Sequence, residues 1–436
     1  LGVALVARWA KLPYTLGLVV VGLGIGFFRL LPGITLTPDL VLLIFLPALL
    51  FEGAWNLEQR ELLRNWLPIF LLAGPGLGIS IVSVGVILHL AIGLDWSVAF
   101  LLGAIISPTD PIAVLALLRQ LGLSTRLRVL IEGESLFNDG VAAAVTQALL
   151  LVVLSSVASS VGLVNLGNTA QTIALSQSGP GVGTIAEGIS INLLRLTGGG
   201  IVLGLAAGYI VSRLVRHVND HLIETTITVV VAYGVYLLSE TIQVSGILAV
   251  ITAGLVLGSY GRETGMSEAT QQAVDGFWGF AAYIANSLLF LLMGLEIGQR
   301  PGIGGIVPIL WAVLSVVAGR AAMIYLFIPL YNLLTRQLEG KKVAPYIAPG
   351  PIPRRWRLVL LSAGLRGALS LALALALPLT TPNRDLLIII VYGVVLVTLL
   401  GQGFGLRFLL PLLRRQNQHG SAEPGGQQAE EQPQNG

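Results

Sequence analysis

The sequence predicts an all-α polytopic membrane protein of about thirteen transmembrane helices, arranged as two inverted repeats. Three observations predict it. Of 436 residues, 55% are hydrophobic and only 11% are charged, where a soluble domain carries about 25% charged residues. Apolar runs long enough to cross roughly 30 Å of hydrocarbon recur along the chain. The runs also lack the alternation of polarity, in segments of about ten residues, that marks a transmembrane barrel.

Apolar runs between polar breaks place the spans at 1–10, 14–31, 37–54, 66–90, 96–118, 129–158, 192–215, 223–239, 245–259, 276–297, 306–334, 358–378 and 385–413. Leu1 opens an apolar run without a Met, so the sequence is expected to begin inside its first span, and no signal peptide is read from it. Basic residues test the count, because they gather on the cytoplasmic side. With the C-terminus in the cytoplasm, only Arg29, Arg195, Arg300 and Arg384 fall on the opposite side. Arg320 and Arg366 fall inside spans, which leaves nineteen of the 25 basic residues cytoplasmic. A missed span would scramble that separation.

Charged residues inside spans are the functional candidates, since each costs on the order of 3 kcal/mol at the bilayer centre. Span three carries Glu52. Span five reads FLLGAIISPTDPIAVLALLRQ, with Asp110 between Pro108 and Pro111. Each proline removes an N–H and disfavours helix at the residue before it, so the helix should break around Thr109. A break at that depth is tolerated where the backbone lines a cavity or touches other protein. Free carbonyls beside an aspartate make an all-oxygen environment suited to a hard cation such as sodium. The alternative is a proline kink without a ligand.

Span six opens with IEGESLFNDG and continues without charge. If it starts near Val129, Asp139 lies about ten residues in, or ~15 Å, close to the midplane. At ~100° per residue, Glu132, Ser135 and Asp139 share one face, while Glu134 and Asn138 point well away from it. One face could line a water-filled cavity. The other needs a buried partner, because an unpaired charge there is too costly. Arg320 in span eleven and Arg366 in span twelve are the basic residues deep enough to serve.

Span seven repeats Gly200, Gly204 and Gly208 at four-residue spacing, which indicates close helix packing rather than chemistry. Glu224, Glu240 and Glu296 lie near span ends in spans eight to ten, where they are read as structural or able to reach water. Span twelve, LVLLSAGLRGALSLALALALP, is interrupted by Gly364, Arg366 and Gly367 at a depth similar to the break in span five. Two interrupted spans in corresponding places suggest inverted repeats, spans one to six and eight to thirteen, with a site between them. Arg366 would balance the dipoles of the crossed half-helices. The segment 416–436, rich in Gly, Gln and Pro, is expected to be a disordered cytoplasmic tail.

Composition excludes several chemistries. There is no cysteine, so no disulfide, iron–sulfur cluster or thiolate catalysis. His217 and His221 have the i, i+4 spacing of a metal pair but sit in a charged loop without a clear third ligand. The net charge of +3 says little about nucleic acid.

SPTDP, EGESLFNDG, FEGA, the AGR of span eleven and GLRGALSLALAL occur in order along nearly the whole membrane portion. Together they resemble the cation:proton antiporter-1 family, and within it the bacterial NhaP-type sodium/proton antiporters. That resemblance implies thirteen helices and a membrane domain, 1–415, divided into two bodies. A core bundle takes 66–158 and 306–413, and a dimerisation scaffold takes 1–54 and 192–297. It implies a homodimer with an elevator-like movement, in the inner (plasma) membrane. It implies a sodium and proton site at Asp139, Ser135, Asp110, Thr109 through its carbonyl, and Glu52. Asn138 would brace the site, Glu134 would pair with Arg320, and Arg366 would support the crossing. The long regulatory C-terminal domain of animal relatives is not expected from so short a tail.

The function expected on these grounds is exchange of Na+, and of Li+, for H+ by alternating access, serving pH homeostasis. One carboxylate, Asp139, would bind either a proton or the cation. Asn138 cannot titrate, where electrogenic relatives commonly have a second aspartate, so electroneutral 1:1 exchange is expected. No cofactor or nucleic acid is expected, and the partners are monovalent cations, protons, lipid and a second copy. Potassium/proton exchange is the runner-up. A cation channel would more often show a repeated filter loop or rings of charge. An intramembrane aspartyl protease would need two aspartates acting together, and the broken backbone around Asp110 suits an ion better; an enzyme is not expected.

Overall fold

The computed structural model describes residues 14–30, 36–111, 115, 124–161, 182–218, 220–299, 305–338 and 350–401. Span one, nearly all of span five beyond Pro111, the end of span thirteen and the tail lie outside the described residues. Within them the chain is helix and connecting loop, without a strand.

Helix α1 runs Tyr14–Phe27, and α2 runs Leu46–Asn56 after a π-helical stretch at Leu40–Phe45. Short helices α3, Gln59–Arg64, and α4, Trp66–Leu71, form a corner. A π-helical turn around Pro75 joins α4 to α5, Leu77–Ile92, because a proline there cannot donate to the regular ladder. Gly93, at φ +71°, ends α5 in the left-handed conformation that glycine adopts at helix ends. Then come α6, Trp96–Ile106, and α7, Thr125–Val161, followed by α8, Val182–Val215. Helix α9, His221–Thr241, is capped by Asp220, and α10, Gly246–Val256, by Ser245; each cap accepts from free backbone N–H groups. The chain continues through α11, Arg262–Gly265, α12, Glu268–Gln299, and α13, Ile306–Leu338. The last elements are α14, Trp356–Ser362, α15, Ala368–Leu375, and α16, Arg384–Gly401. Seven helices among the described residues are long and apolar enough to cross a membrane.

Small residues set the closest helix contacts, as they do where lipid supplies no hydrophobic drive between helices. On α8, an added Cβ at Gly200 would lie 2.6 Å from the Ser245 carbonyl oxygen, and one at Gly208 would lie 2.8 Å from Val256 Cβ. The four-residue glycine spacing of span seven is thus a packing stripe against α10. Gly22 and Gly26 of α1 meet Gly294 and Gly298 of α12 in the same way.

Apolar packing divides near the end of α2. Phe51 and Trp55 join a large cluster with Trp278, Phe290 and Met293, and Phe51 lies 4.5 Å from Trp278 between ring centroids. Leu57, two residues on, joins a second cluster with Leu62, Ile69, Leu127, Val129 and Tyr331. At this same end of the bundle, Arg126 of α7 ties several elements together. Its Nε donates to Asn65 Oδ1 (2.8 Å) and its Nη2 to the Gly350 carbonyl (2.7 Å). Its guanidinium also lies 5.9 Å from the Trp356 ring centroid, at the start of α14.

The span-end glutamates divide between the structural and the solvated reading. Glu224 and Glu296 do not reach water; they are 2% and 7% exposed. Glu224 turns inward and accepts from Thr270 Oγ1 (3.2 Å), and Glu296 accepts from the Leu36 N–H (3.4 Å). Glu240 is exposed. Position along a helix sets depth, but the neighbour packed beside it decides whether water arrives.

Candidate functional site

Two non-helical stretches meet inside the bundle. Helix α6 stops at Ile106, and Ser107 to Pro111 are not helical. Helix α14 stops at Ser362, and the chain resumes as α15 at Ala368. Each stretch serves the other's backbone. The Asp110 N–H donates to the Leu365 carbonyl (2.8 Å), and Arg366 Nη1 donates to the Pro108 carbonyl (3.4 Å). This answers the need of buried N–H and C=O groups for partners where no helix supplies them. Gly367 permits the approach, since a Cβ there would lie 2.6 Å from Asp110 Oδ2. Arg366 is fully buried, and its Nε and Nη2 find no hydrogen-bond partner among the described residues.

Helix α7 lays its polar residues across this meeting point. The Ser135 hydroxyl donates a short hydrogen bond to the Thr109 carbonyl. Asn138 Nδ2 lies 3.4 Å from both Thr109 Oγ1 and Glu134 Oε1. Glu134, 1% exposed, is gripped by Arg320 through Nη1–Oε1 at 2.6 Å and Nη2–Oε2 at 2.8 Å. Arg320 Nη2 also donates to the Leu360 carbonyl (3.0 Å), tying α14 into the pair. A two-pronged guanidinium–carboxylate contact of this kind is the strong, directional form. Arg320, rather than Arg366, is therefore the partner of Glu134.

Asp139 is different. It is partly exposed, and its carboxylate makes no hydrogen bond or ion pair with any described residue. Ser135 stands one turn away on the same face. A serine hydroxyl that donates to Thr109 keeps its lone pairs, and the Thr109 carbonyl keeps a second one. The arrangement offers acceptor oxygens beside an unpaired carboxylate, a donor set suited to a hard cation or a proton. Asp110, also partly exposed, lies at the crossing itself.

Glu52 lies on α2, partly buried. On α2 the next residue, Gly53, faces α7, where an added Cβ would lie 3.6 Å from Leu136 Cδ1. Glu52 Oε1 accepts from Asn56 Nδ2 (2.9 Å). Among the described residues no group of three or more His, Asp or Glu forms a multi-ligand metal cluster. The link between the Asn138 and Thr109 side chains, and the Leu360 carbonyl on Arg320, were not read from sequence. The glycine beside Arg366 was the available signal for the close approach at Asp110.

Comparison with known proteins gives one consistent result. The family model described as "Sodium/hydrogen exchanger, transmembrane" matches residues 1–411. The chain is 39% identical to the Na(+)/H(+) antiporter ApNhaP of Aphanothece halophytica, over 95% of this chain and 73% of that protein. It is 38% identical to the low-affinity Na(+)/H(+) antiporter NhaS1 of a Synechocystis strain, over 92% of this chain and 69% of that one. The fold matches the solved structure of the sodium proton antiporter MjNhaP1 from Methanocaldococcus jannaschii, with a TM-score of 0.67 at 20% identity, covering 92% of each chain.

Proposed function

The chain belongs to the sodium/hydrogen exchanger family, and we propose that it exchanges Na+ for H+ across the plasma membrane at Asp139. The observation that carries this is the contrast at Asp139, a carboxylate inside the bundle that no described side chain satisfies. A carboxylate so placed has two ways to lose its charge, by taking a proton or by binding a cation. Competition between them for one group is coupling. Only the protonated or cation-loaded state crosses the barrier, because a bare carboxylate is too costly to move through a dry interface.

Ser135 and the Thr109 carbonyl complete the ligand sphere, with Asp110 and Glu52 near it, and Asn138 braces Thr109. Glu134 and Arg320 hold α7, α13 and α14 as one body and do not bind the ion. That body is the core, 66–158 and 306–413, and it moves against a scaffold of 1–54 and 192–297 that joins two copies into a homodimer. The C-terminus faces the cytoplasm, where the basic residues gather. Lithium, a smaller hard cation, is carried as well.

The test is proton release from the purified, detergent-solubilised protein on adding NaCl, LiCl or KCl at constant ionic strength. Release with sodium and lithium but not potassium supports the proposal. Release with potassium alone would replace it with potassium/proton exchange, and no release with any of the three would overturn competition at a single carboxylate.

A further inference from the structure

The segment 55–65 connects the two proposed bodies. We propose that Leu57 and Glu58 are the hinge between them, with Trp55 fixed to the scaffold and α3 carried by the core. This rests on the two-body reading above and locates the flexing residues within it.

The scaffold-side anchor is dense. Trp55 Nε1 donates to Asp275 Oδ1 (2.6 Å) on α12. Arg262 bonds the same Asp275 oxygen and lies 5.0 Å from the centroid of a Trp55 ring. Gly258 packs so closely on the Trp55 backbone that an added Cβ would lie 2.9 Å from Trp55 Cα. An indole held by a hydrogen bond, a stacked cation and backbone contact cannot swing freely.

The core-side anchor begins at the buried Leu57 side chain, which packs in one cluster with Leu62 and Ile69. Leu62 of α3 rests on α7, where an added Cβ at Gly133 would lie 3.2 Å from Leu62 Cδ1. Asn65, 0% exposed, closes α3 by donating from Nδ2 to the Glu61 carbonyl (2.8 Å), and its Oδ1 accepts from Arg126 (2.8 Å). Arg126 in turn holds Gly350, whose carbonyl also accepts from the Tyr331 hydroxyl at 3.3 Å. Helix α3 is therefore bound to α7, α13 and the approach to α14.

Between the anchors the Leu57 N–H closes α2 on the Ala54 carbonyl (3.4 Å), and the Glu58 carbonyl opens α3 by accepting from the Leu62 N–H (2.9 Å). Leu57 (φ −73°, ψ 126°) and Glu58 (φ −68°, ψ 100°) are extended and separate two helices. Asn65 (φ −108°, ψ 18°) also departs from helix, but its buried side chain is fastened on both ends, so the corner at α3–α4 cannot open without breaking the Arg126 contacts. Hinges are short runs at element ends that absorb dihedral change. Leu57 and Glu58 are the extended pair between the two anchored helices, and the buried Leu57 side chain moves with the core.

The chain has no cysteine, so spin labels can be placed without removing native thiols. Gln59, Thr125 and Glu268 are exposed and report on α3, the core and the scaffold. Paired cysteine labels are compared in liposomes between saturating sodium at alkaline pH and sodium-free acidic buffer. The expected result is that the Thr125–Glu268 and Gln59–Glu268 distances change together while Gln59–Thr125 stays fixed. If Gln59–Thr125 changes and Gln59–Glu268 does not, the hinge lies beyond α3 and this proposal is overturned while the two-body reading stands. If Thr125–Glu268 is constant, both fall. A second variant uses the backbone. Proline fits the φ of Glu58 and confines Leu57 to its present extended region. Glu58→Pro should melt at the wild-type temperature, keep the wild-type half-saturating sodium concentration and lose turnover several-fold. Wild-type turnover in that variant would also overturn the hinge.

Discussion

Glu134 and Asp139 stand on the same helix at similar depth, yet the protein treats them in opposite ways. Glu134 is gripped by Arg320 at 2.6 and 2.8 Å and is almost without solvent contact. Asp139 is partly exposed and makes no hydrogen bond or ion pair with a described residue. Five positions along a helix turn a side chain by about 140°, enough to put one carboxylate against Arg320 of α13 and to turn the other away from it. Residue type and depth therefore do not assign a membrane carboxylate its task. The completeness of its partner set does.

Four experiments can break or sharpen that contrast. The largest effect belongs to Asp139→Asn, which keeps the size and removes the titrating group. Proteoliposomes with this variant should show no sodium-driven pH change, while the purified protein runs as a single folded species. Exchange at the wild-type rate would mean that the unpartnered carboxylate is not the carrier.

Next is the buried pair. Removing one partner strands a charge and should cost roughly 3–5 kcal/mol. Glu134→Ala and Arg320→Ala should each lower the melting temperature and yield. The double variant should be less damaged than the sum of the two, the signature of direct contact. Arg366→Ala should be additive with Glu134→Ala. Coupling to Arg366 in place of Arg320 would mean that the observed pairing is not the one that stabilises the protein.

A third measurement asks how many carboxylates follow the pattern of Asp139. With Asn138 unable to titrate and Glu134 held by Arg320, one proton should exchange for one sodium. Clamping the voltage with potassium and valinomycin should then drive no sodium uptake in the absence of a pH gradient. Voltage-driven uptake would mean that Asp110 or Glu52 carries a second proton.

The smallest effect is expected at Ser135. Losing one hydrogen-bonding hydroxyl costs about 1 kcal/mol, or roughly fivefold in an equilibrium constant. Ser135→Ala should raise the half-saturating sodium concentration by about that factor and leave the maximal rate largely unchanged. An unchanged half-saturation would remove Ser135 from the ligand sphere.

What could be read from sequence was what acts locally. Pro108 and Pro111 disrupt their own backbone, so a stop near Thr109 follows from the residues alone. The two faces of α7 follow from helical periodicity, and the packing role of Gly200, Gly204 and Gly208 from their spacing. Choosing between Arg320 and Arg366 as the partner of Glu134 was harder, because both lie at suitable depth and helix order does not fix which side chain crosses. The resemblance favours Arg320, and it is Arg320 that reaches Glu134, at 2.6 and 2.8 Å. Glu224 and Glu296 are structural, one of the two readings open at a span end; which reading holds depends on α12 and on the chain near Leu36, neither of which is a sequence neighbour. The Arg126 network was invisible for the same reason. In sequence Arg126 is one more cytoplasmic cation, and only the fold brings it to Asn65 and Gly350.

The bond from the Asp110 amide to the Leu365 carbonyl makes that one proton a clock. Its partner belongs to no helix and sits far along the chain, so fraying of α6 or α15 alone does not release it. Deuterium can replace it only when the two crossing segments part, and exchange at this single amide therefore reports how often the centre of the bundle comes undone.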